Sequence, residues 1–142
     1  MSLMKDYLLE ALRDMQKNHV RIRFFGDITA LSPELQALAE EASRESDQFT
    51  DSQVNLCINY GSRDEIVRAA KKWAQHCVET GEDPETLTEE DFSRMLYSGD
   101  IPDPDLIIRP GGEMRISNFL LWQAAYAFHG LQKDRLRLVA LA

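Results

Sequence analysis

The sequence predicts an α/β protein in which helices flank a parallel sheet. Segments with apolar residues at helical spacing alternate with short runs rich in β-branched and aromatic residues. Several of the helical segments also begin with capping residues, and this alternation is typical of a sheet with parallel strands. Only three strands are evident, which is few for a free-standing doubly wound fold, so we expect the chain to form part of a larger one.

The first half of the chain is predicted to contain two helices and two strands. Apolar residues on one stripe indicate a helix over 3–17, and β-branched and aromatic residues ending at a glycine indicate a strand over 20–26. The run Ser32-Pro33-Glu34 supplies an N-cap, a proline and an acidic first turn for a helix that reaches about residue 46. Residues 54–60 form the second predicted strand.

The second half is predicted to contain three helices, one strand and a terminal segment. Ser62, Thr88 and Ser117 are the expected helix caps. The predicted elements are helices over 62–78, 88–95 and 118–128, a short buried strand over 106–108, polar loops over 80–86 and 98–104, and a helix or tail over 129–142.

Composition and charge exclude some classes of function. The net charge of −8 and the pI of about 4.8 argue against general nucleic-acid binding, which needs a basic surface. Cys57 and Cys77 have no metal-ligand spacing, and we expect both to be reduced, mostly buried thiols. No apolar stretch approaches the ~20 residues that a transmembrane helix needs, and no signal peptide is evident. We therefore predict a cytoplasmic protein.

One loop is the strongest candidate for an anion site. In open α/β sheets ligands bind beyond the carboxyl ends of the strands, where residues 25–27, 59–63 and 109–117 are expected. Arg109 and Arg115 flank a Gly-Gly turn, and Ser117 follows at a predicted helix N-terminus, which together would suit a pyrophosphate. An alternative is that Arg109 pairs with a neighbouring carboxylate and Ser117 is only a cap. The residues alone therefore indicate an anion site and no more.

Two stretches carry a resemblance to a known family. Residues 102–123, PDPDLIIRPGGEMRISNFLLWQ, and residues 59–66, NYGSRDEI, preceded by 20–27, resemble the signatures of cis-prenyltransferases of the undecaprenyl diphosphate synthase type. The resemblance covers residues 1 to about 127 and implies a partial cis-prenyltransferase fold. It implies condensation of isopentenyl diphosphate with an allylic diphosphate, usually farnesyl diphosphate, with Mg²⁺, to give a polyprenyl diphosphate such as the cell-wall precursor lipid undecaprenyl diphosphate.

The resemblance implies roles for two groups of residues. The first group holds or supports the pyrophosphate of isopentenyl diphosphate and comprises Arg109, Arg115, Ser117 and Glu113. The second group has mainly a structural role at a strand end and comprises Asn59, Gly61 and Arg63.

Three departures from the family pattern limit what the resemblance implies. No part of residues 1–20 resembles the family segment that carries the catalytic, Mg²⁺-binding aspartate, so no complete catalytic set is expected. Phe128 stands where the family has a glutamate metal ligand, and carbon atoms cannot coordinate Mg²⁺. Residues 129–142 share nothing with the family C-terminus. We predict that residues 1–128 are the C-terminal part of a cis-prenyltransferase domain and that 129–142 are a non-family tail, arising from a frameshift or an unusual gene boundary.

These departures lead to one functional expectation and two alternatives. We expect weak binding of isopentenyl diphosphate, no turnover by this chain alone and no metal site of its own. A non-catalytic binding or regulatory subunit of a heteromeric synthase is the first alternative, and a non-functional truncated remnant is the second. The resemblance also implies a homodimer, and association with a membrane surface through a lipid product.

Overall fold

The strands of the structure form two parallel pairs, and helices pack beside them. The computed structural model describes residues 2–108, 115–127 and 138–140. The chain divides into two compact units, Met1–Tyr60 and Gly61–Ala142, and each contains one strand pair. The predicted α/β class with parallel strands and flanking helices is confirmed. Among the described residues four strands are found, and they pair within the units as two two-stranded sheets.

The first unit alternates helices and strands in the predicted order. It contains α1 (Ser2–Lys17), β1 (Val20–Phe25), α2 (Pro33–Ser46) and β2 (Ser52–Cys57), with a 3₁₀ turn at Ile28–Ala30. β1 and β2 pair in parallel from Val20 opposite Ser52 to Phe25 opposite Cys57. Ile22 and Phe25 are the buried residues of β1, and they lie on opposite faces of the strand because successive side chains alternate.

The core of the first unit joins both helices to β1. Leu12 of α1, Ile22 of β1 and Ala42 of α2 form a buried cluster. Partly buried residues complete it: Met15, Phe24, Leu38 and Leu56. Ser46 at the end of α2 is fully buried, and its hydroxyl accepts a hydrogen bond from the amide of Ile22 at 2.9 Å. That bond satisfies a strand amide that would otherwise be buried without a partner.

The second unit contains two helices and two short strands. These are α3 (Ser62–Thr80), α4 (Glu89–Met95), β3 (Leu106–Ile108) and β4 (Leu138–Ala140), with a 3₁₀ turn at Pro84–Thr86. β3 and β4 pair in parallel. Thr88 caps α4 as predicted, because its hydroxyl accepts a hydrogen bond from the amide of Asp91 at 3.1 Å. Ile107 of β3 is buried with Ala124 and Ala127.

Two predicted boundaries differ from the structure, and one strand was not predicted. β2 ends at Cys57 and not near residue 60, since Asn59 has a φ of 48° and cannot continue an extended strand. Gly61, not Ser62, is the N-cap residue of α3, and Ser62 is the first residue in the helix. β4 lies within the segment 129–142, which was predicted to be a helix or tail.

The predicted helix over 118–128 is also wrong. Residues 117–127 form a series of turns, and Ser117, Asn118 and Leu120 have φ values of 49°, 61° and 45°. Left-handed residues cannot belong to a right-handed helix. Asn118 instead directs its carbonyl and side chain to the first amides of α3, so it does not start a helix of its own.

The structure also bears on two further predictions, one about the burial of the cysteines and one about membrane-spanning helices. Cys57 and Cys77 are free cysteines and are only partly buried, so the expectation of mostly buried thiols is not met. Across the described ranges 2–108, 115–127 and 138–140, we find no helix with the length and apolar character needed to cross a membrane.

Candidate functional site

The predicted anion-binding loop is only partly described by the structure. Arg115 and Ser117 are described, and both are exposed. Arg109 and Glu113 lie outside the described residues, as does Phe128. The structure therefore describes only the C-terminal part of the predicted anion site, where Arg115 carries a guanidinium and Ser117, two positions later, carries a hydroxyl.

The contribution predicted for a helix dipole at Ser117 is not found. No helix begins at Ser117, whose backbone is left-handed. α3 is the helix that hydrogen-bonds to this segment. Amides of its first turn donate to Asn118, the neighbour of Ser117. The guanidinium of Arg115 and the hydroxyl of Ser117 thus remain the candidate anion-binding groups among the described residues of this loop.

The second motif is divided between the two units. Asn59 belongs to the first unit, where its side-chain amide donates to the carbonyl of Asp27 at 3.3 Å and its carbonyl accepts from the Asp27 amide at 3.4 Å. Gly26 lies between β1 and Asp27 with a φ of +111°, and a Cβ there would lie 2.1 Å from the carbonyl oxygen of Ile58. Asn59 therefore ties together the two chain segments that follow β1 and β2.

Gly61 and Arg63 belong to the second unit and lie at the start of α3. Gly61 has no side chain with which to cap the helix, so the first amides of α3 need acceptors from elsewhere. Asn118 supplies them: its carbonyl accepts from the Ser62 amide at 2.8 Å and its Oδ1 accepts from the Arg63 amide at 2.9 Å. In return, the buried hydroxyl of Ser62 accepts from the Leu121 amide at 2.9 Å. We call these three hydrogen bonds the α3 clasp.

The α3 clasp depends on the close approach of Asn118 to Gly61. A Cβ at position 61 would lie 2.9 Å from the side-chain nitrogen of Asn118, which is closer than real Cβ contacts. Glycine at this position thus lets the two family-like stretches, 59–66 and 102–123, come together within the second unit. Sequence reasoning gave Asn118 no role, although a helix that begins after a glycine without a capping side chain was a signal that an acceptor must come from elsewhere.

A buried carboxylate in α3 is the second feature that sequence reasoning missed. Glu65 is fully buried and accepts hydrogen bonds from the Tyr97 amide at 2.7 Å and from the side chain of Gln123 at 3.3 Å. The same nitrogen of Gln123 contacts the hydroxyl of Ser98 at 2.9 Å. This network joins α3 to the turn after α4 and to residues 117–127. The signal was the position of Glu65 on one helical face with the buried Ser62 and Ala69.

The described residues do not fit a Mg²⁺ site. In the ranges for which side chains can be described, no three His, Cys, Asp or Glu residues are placed to hold a metal ion together. Mg²⁺ requires several oxygen ligands close to octahedral geometry, commonly including carboxylates. We therefore derive no chemical step through a metal in this part of the chain.

Comparisons with known proteins agree on one family. The family model for undecaprenyl diphosphate synthase, Prenyltransf, matches residues 1–133. An isoprenyl transferase from Brucella suis biovar 1 (strain 1330) is 42% identical over 127 residues, which cover 89% of this chain and 50% of that protein. The chain spans about half the length of the curated relatives that it matches.

Two crystal structures are similar to the fold. A probable undecaprenyl diphosphate synthase from Campylobacter jejuni has a TM-score of 0.73 and 33% identity, and the match covers 99% of this chain and 59% of that chain. Lavandulyl diphosphate synthase from Lavandula x intermedia, in complex with dimethylallyl diphosphate, has a TM-score of 0.75 and 30% identity, over 83% of this chain and 52% of that chain. The similarity therefore extends to more than one kind of diphosphate synthase.

Proposed function

Because this chain belongs to the undecaprenyl diphosphate synthase family of prenyltransferases, we propose that it carries the isopentenyl diphosphate-binding part of a cis-prenyltransferase. In such an enzyme isopentenyl diphosphate is condensed with an allylic diphosphate, for example farnesyl diphosphate, to give a polyprenyl diphosphate such as undecaprenyl diphosphate. The observation that carries the proposal is the exposed pair Arg115 and Ser117, which directly precedes the clasp on α3.

The side chains of Arg115 and Ser117 can both donate hydrogen bonds to the oxygens of a diphosphate. The guanidinium of Arg115 is always charged and can donate two parallel hydrogen bonds to phosphate oxygens. The hydroxyl of Ser117 can donate one more. The net charge of −8 opposes a diphosphate at long range, but charges more than about 10 Å away are largely screened at 0.1 M salt. A local arginine can therefore dominate binding. Arg109 and Glu113 complete the set that the resemblance implies.

The binding proposal is tested by calorimetric titration of the full chain with isopentenyl diphosphate. We expect saturable binding, weakened about 10- to 100-fold in Arg115→Ala, because hydrogen bonds to charged groups are each worth roughly 1.5–3 kcal/mol. Ser117→Ala should weaken binding about tenfold, since it removes a single hydrogen bond to a charged phosphate oxygen, worth roughly 1.5 kcal/mol. Arg13→Ala is the matched control, because it removes the same charge from an exposed position on α1.

Two results would contradict the binding proposal. One is the absence of saturable binding by a protein shown to be folded, which would favour a non-functional remnant. The other is an equal loss of affinity in Arg115→Ala and Arg13→Ala, which would show that the change in net charge alone weakens binding. The titration is run with and without Mg²⁺, and a requirement for the metal would point to ligands outside the described residues.

We also propose that residues 1–142 do not complete the reaction alone. The family resemblance places the allylic-diphosphate and metal ligands in segments that residues 1–142 do not match, and Phe128 stands where the family has a glutamate. Incubation with farnesyl diphosphate, labelled isopentenyl diphosphate and Mg²⁺ should therefore yield no polyprenyl product. Steady product formation that Arg115→Ala abolishes would refute this proposal.

Assembly and location follow from the family resemblance as further proposals. We propose a homodimer located in the cytoplasm, with contact to the membrane surface only through a lipid product. Sedimentation equilibrium of the purified chain tests the dimer, and a concentration-independent monomer would contradict it. The boundary between family-like residues and the tail, placed after residue 128, also stays a prediction.

A further inference from the structure

The α3 clasp connects the proposed diphosphate-binding residues to a rigid helix. Residues 115–118 are consecutive, so the backbone at Asn118 sets where Ser117 lies, about 3.8 Å away along the chain. Asn118 is held by two acceptor contacts to α3, at 2.8 Å and 2.9 Å, and the reciprocal bond from Leu121 to Ser62 holds the segment on the other side. All three bonds cross more than fifty positions of sequence.

The backbone conformation of residues 117–120 has to be stabilised by contacts with the rest of the unit. Ser117, Asn118 and Leu120 all have positive φ, a conformation that is unfavourable for residues with a Cβ and must be maintained by surrounding contacts. Asparagine tolerates the left-handed region better than most residues and also carries the side-chain acceptor. A bond from the Phe119 amide to the Ile116 carbonyl at 3.1 Å closes this turn locally, and the clasp attaches it to α3 beside the exposed Ser117.

We propose that Asn118 is a positioning residue for diphosphate binding, which acts by clasping the first turn of α3 and thereby fixing Ser117 and Arg115. This inference rests on the proposed function, because it assumes that these two residues bind the diphosphate. Asn118 itself need not touch the ligand. Its side-chain oxygen is directed to the Arg63 amide and its carbonyl to the Ser62 amide.

The test compares the affinity of Asn118→Gly with that of the unchanged chain. Glycine keeps the freedom to adopt positive φ and keeps the carbonyl that Ser62 contacts, so what is lost is the side-chain amide with its Oδ1 acceptor. We expect Kd for isopentenyl diphosphate to rise about tenfold, equivalent to ~1.4 kcal/mol. Inorganic pyrophosphate is titrated in parallel and should lose affinity by the same factor, because only diphosphate contacts are affected.

Ser93→Ala is the control for a purely structural effect. The hydroxyl of Ser93 accepts from the indole nitrogen of Trp122 at 2.9 Å, so it anchors the same segment 117–127 without contacting α3's first turn. Both variants should lower the melting temperature to a similar extent. At a temperature where both are fully folded, Ser93→Ala should leave Kd unchanged, whereas Asn118→Gly should raise it.

Gly61→Ala provides a second and independent perturbation. Its Cβ would lie 2.9 Å from the side-chain nitrogen of Asn118, so it should displace the asparagine and raise Kd by a similar factor. In the double variant with Asn118→Gly that side chain is gone. The two changes should therefore be strongly non-additive, with the double variant binding about as well as Asn118→Gly alone.

The possible outcomes distinguish a failure of the positioning role of Asn118 from a failure of the proposed binding of isopentenyl diphosphate. A folded chain that binds neither ligand overturns the proposed function, and the inference with it. A chain that binds normally while Asn118→Gly binds equally well overturns the inference alone, as does an equal loss in Asn118→Gly and Ser93→Ala. A rise in Kd restricted to Asn118→Gly and Gly61→Ala supports it.

Discussion

Gly26→Ala should destabilise the first unit strongly, because two independent effects coincide at this residue. Gly26 has a φ of +111°, and a Cβ built there would lie 2.1 Å from the carbonyl oxygen of Ile58 and 3.1 Å from the carbonyl of Asn59. Real Cβ atoms do not approach other heavy atoms within 3.0 Å, so the backbone must move. The movement would strain two neighbouring hydrogen bonds, from Ile58 to Phe25 at 2.9 Å and from Asp27 to Asn59 at 3.4 Å.

The size of the effect follows from these two contributions. Holding a residue with a Cβ in this sparsely populated region costs about 1–3 kcal/mol. Weakening two backbone hydrogen bonds costs roughly 0.5–1.5 kcal/mol for each. We therefore expect a loss of about 3–5 kcal/mol in the free energy of unfolding, measured by urea denaturation followed by circular dichroism. For a chain of this length the melting temperature should fall by about 10–20 °C.

Substitutions at two other glycines measure the conformational and the steric contributions separately. Gly81 has a φ of +76° at the end of α3, and a Cβ there meets nothing within 4 Å, so Gly81→Ala tests conformation alone and should cost about 1 kcal/mol. Gly99 is not left-handed, but a Cβ would lie 2.3 Å from the carbonyl oxygen of Arg94, so Gly99→Ala tests steric overlap alone. If Gly26→Ala costs no more than Gly81→Ala, the close approach between the two strand ends is refuted.

Three further perturbations test other parts of the structure. Glu65→Ala should destabilise the chain by about 1–3 kcal/mol, because it removes the buried carboxylate that accepts from the part-buried Tyr97 amide at 2.7 Å, whereas Glu65→Gln should cost less; urea denaturation measures both, and equal losses would contradict the hydrogen-bond role. Partial burial, together with the carboxylates of Glu82 and Asp83, raises the pKa of the Cys77 thiol, so less thiolate is present at pH 8 and iodoacetamide should modify it more slowly than a model thiol. Glu82→Gln should increase that rate, measured by peptide mass spectrometry, and an unchanged rate would exclude the carboxylate effect. Thr88→Ala should cost about 1 kcal/mol through loss of the α4 cap at 3.1 Å, and Thr88→Ser should restore most of it.

The strands and helices with strong local signals were predictable from sequence. β1 begins at Val20 as predicted and stops at Phe25, directly before Gly26, and α2 begins as predicted with Pro33 at its first position. α4 was also predictable, since Thr88 makes its cap within four residues of sequence. In each case the residues that determine the boundary lie next to it, so no tertiary contact had to be known.

The errors arise where distant residues determine the backbone. Residues 117–127 have a composition that favours a helix, but Asn118 hydrogen bonds to amides 55 positions away, a contact that no local pattern reveals. β4 has only three residues, too few for a periodic signal, and its partner β3 lies far back in the sequence. β2 ends early because Asn59 turns left-handed to bond with Asp27.

In the candidate site, too, some residues could be identified from the local sequence and others only from contacts between distant segments. Arg115 and Ser117 were identified from residue type and from the family-like motif, and the structure places both on the surface. Two residues that connect residues 117–127 to α3 were missed: Asn118, which caps a helix from outside it, and Glu65, which is buried and bonded to Tyr97 and Gln123. Both act through contacts between stretches that are remote in sequence, and only a three-dimensional arrangement reveals such contacts.

The central claim is that residues around Arg115 bind isopentenyl diphosphate, and the most direct measurement locates the ligand on the chain. We would record ¹⁵N–¹H correlation spectra of the labelled full chain during titration with isopentenyl diphosphate. Saturable shifts are expected at Arg115 and Ser117, and at the Ser62 and Arg63 amides that Asn118 contacts. Saturable shifts confined to other residues, or none at all in a well-dispersed spectrum, would contradict the claim.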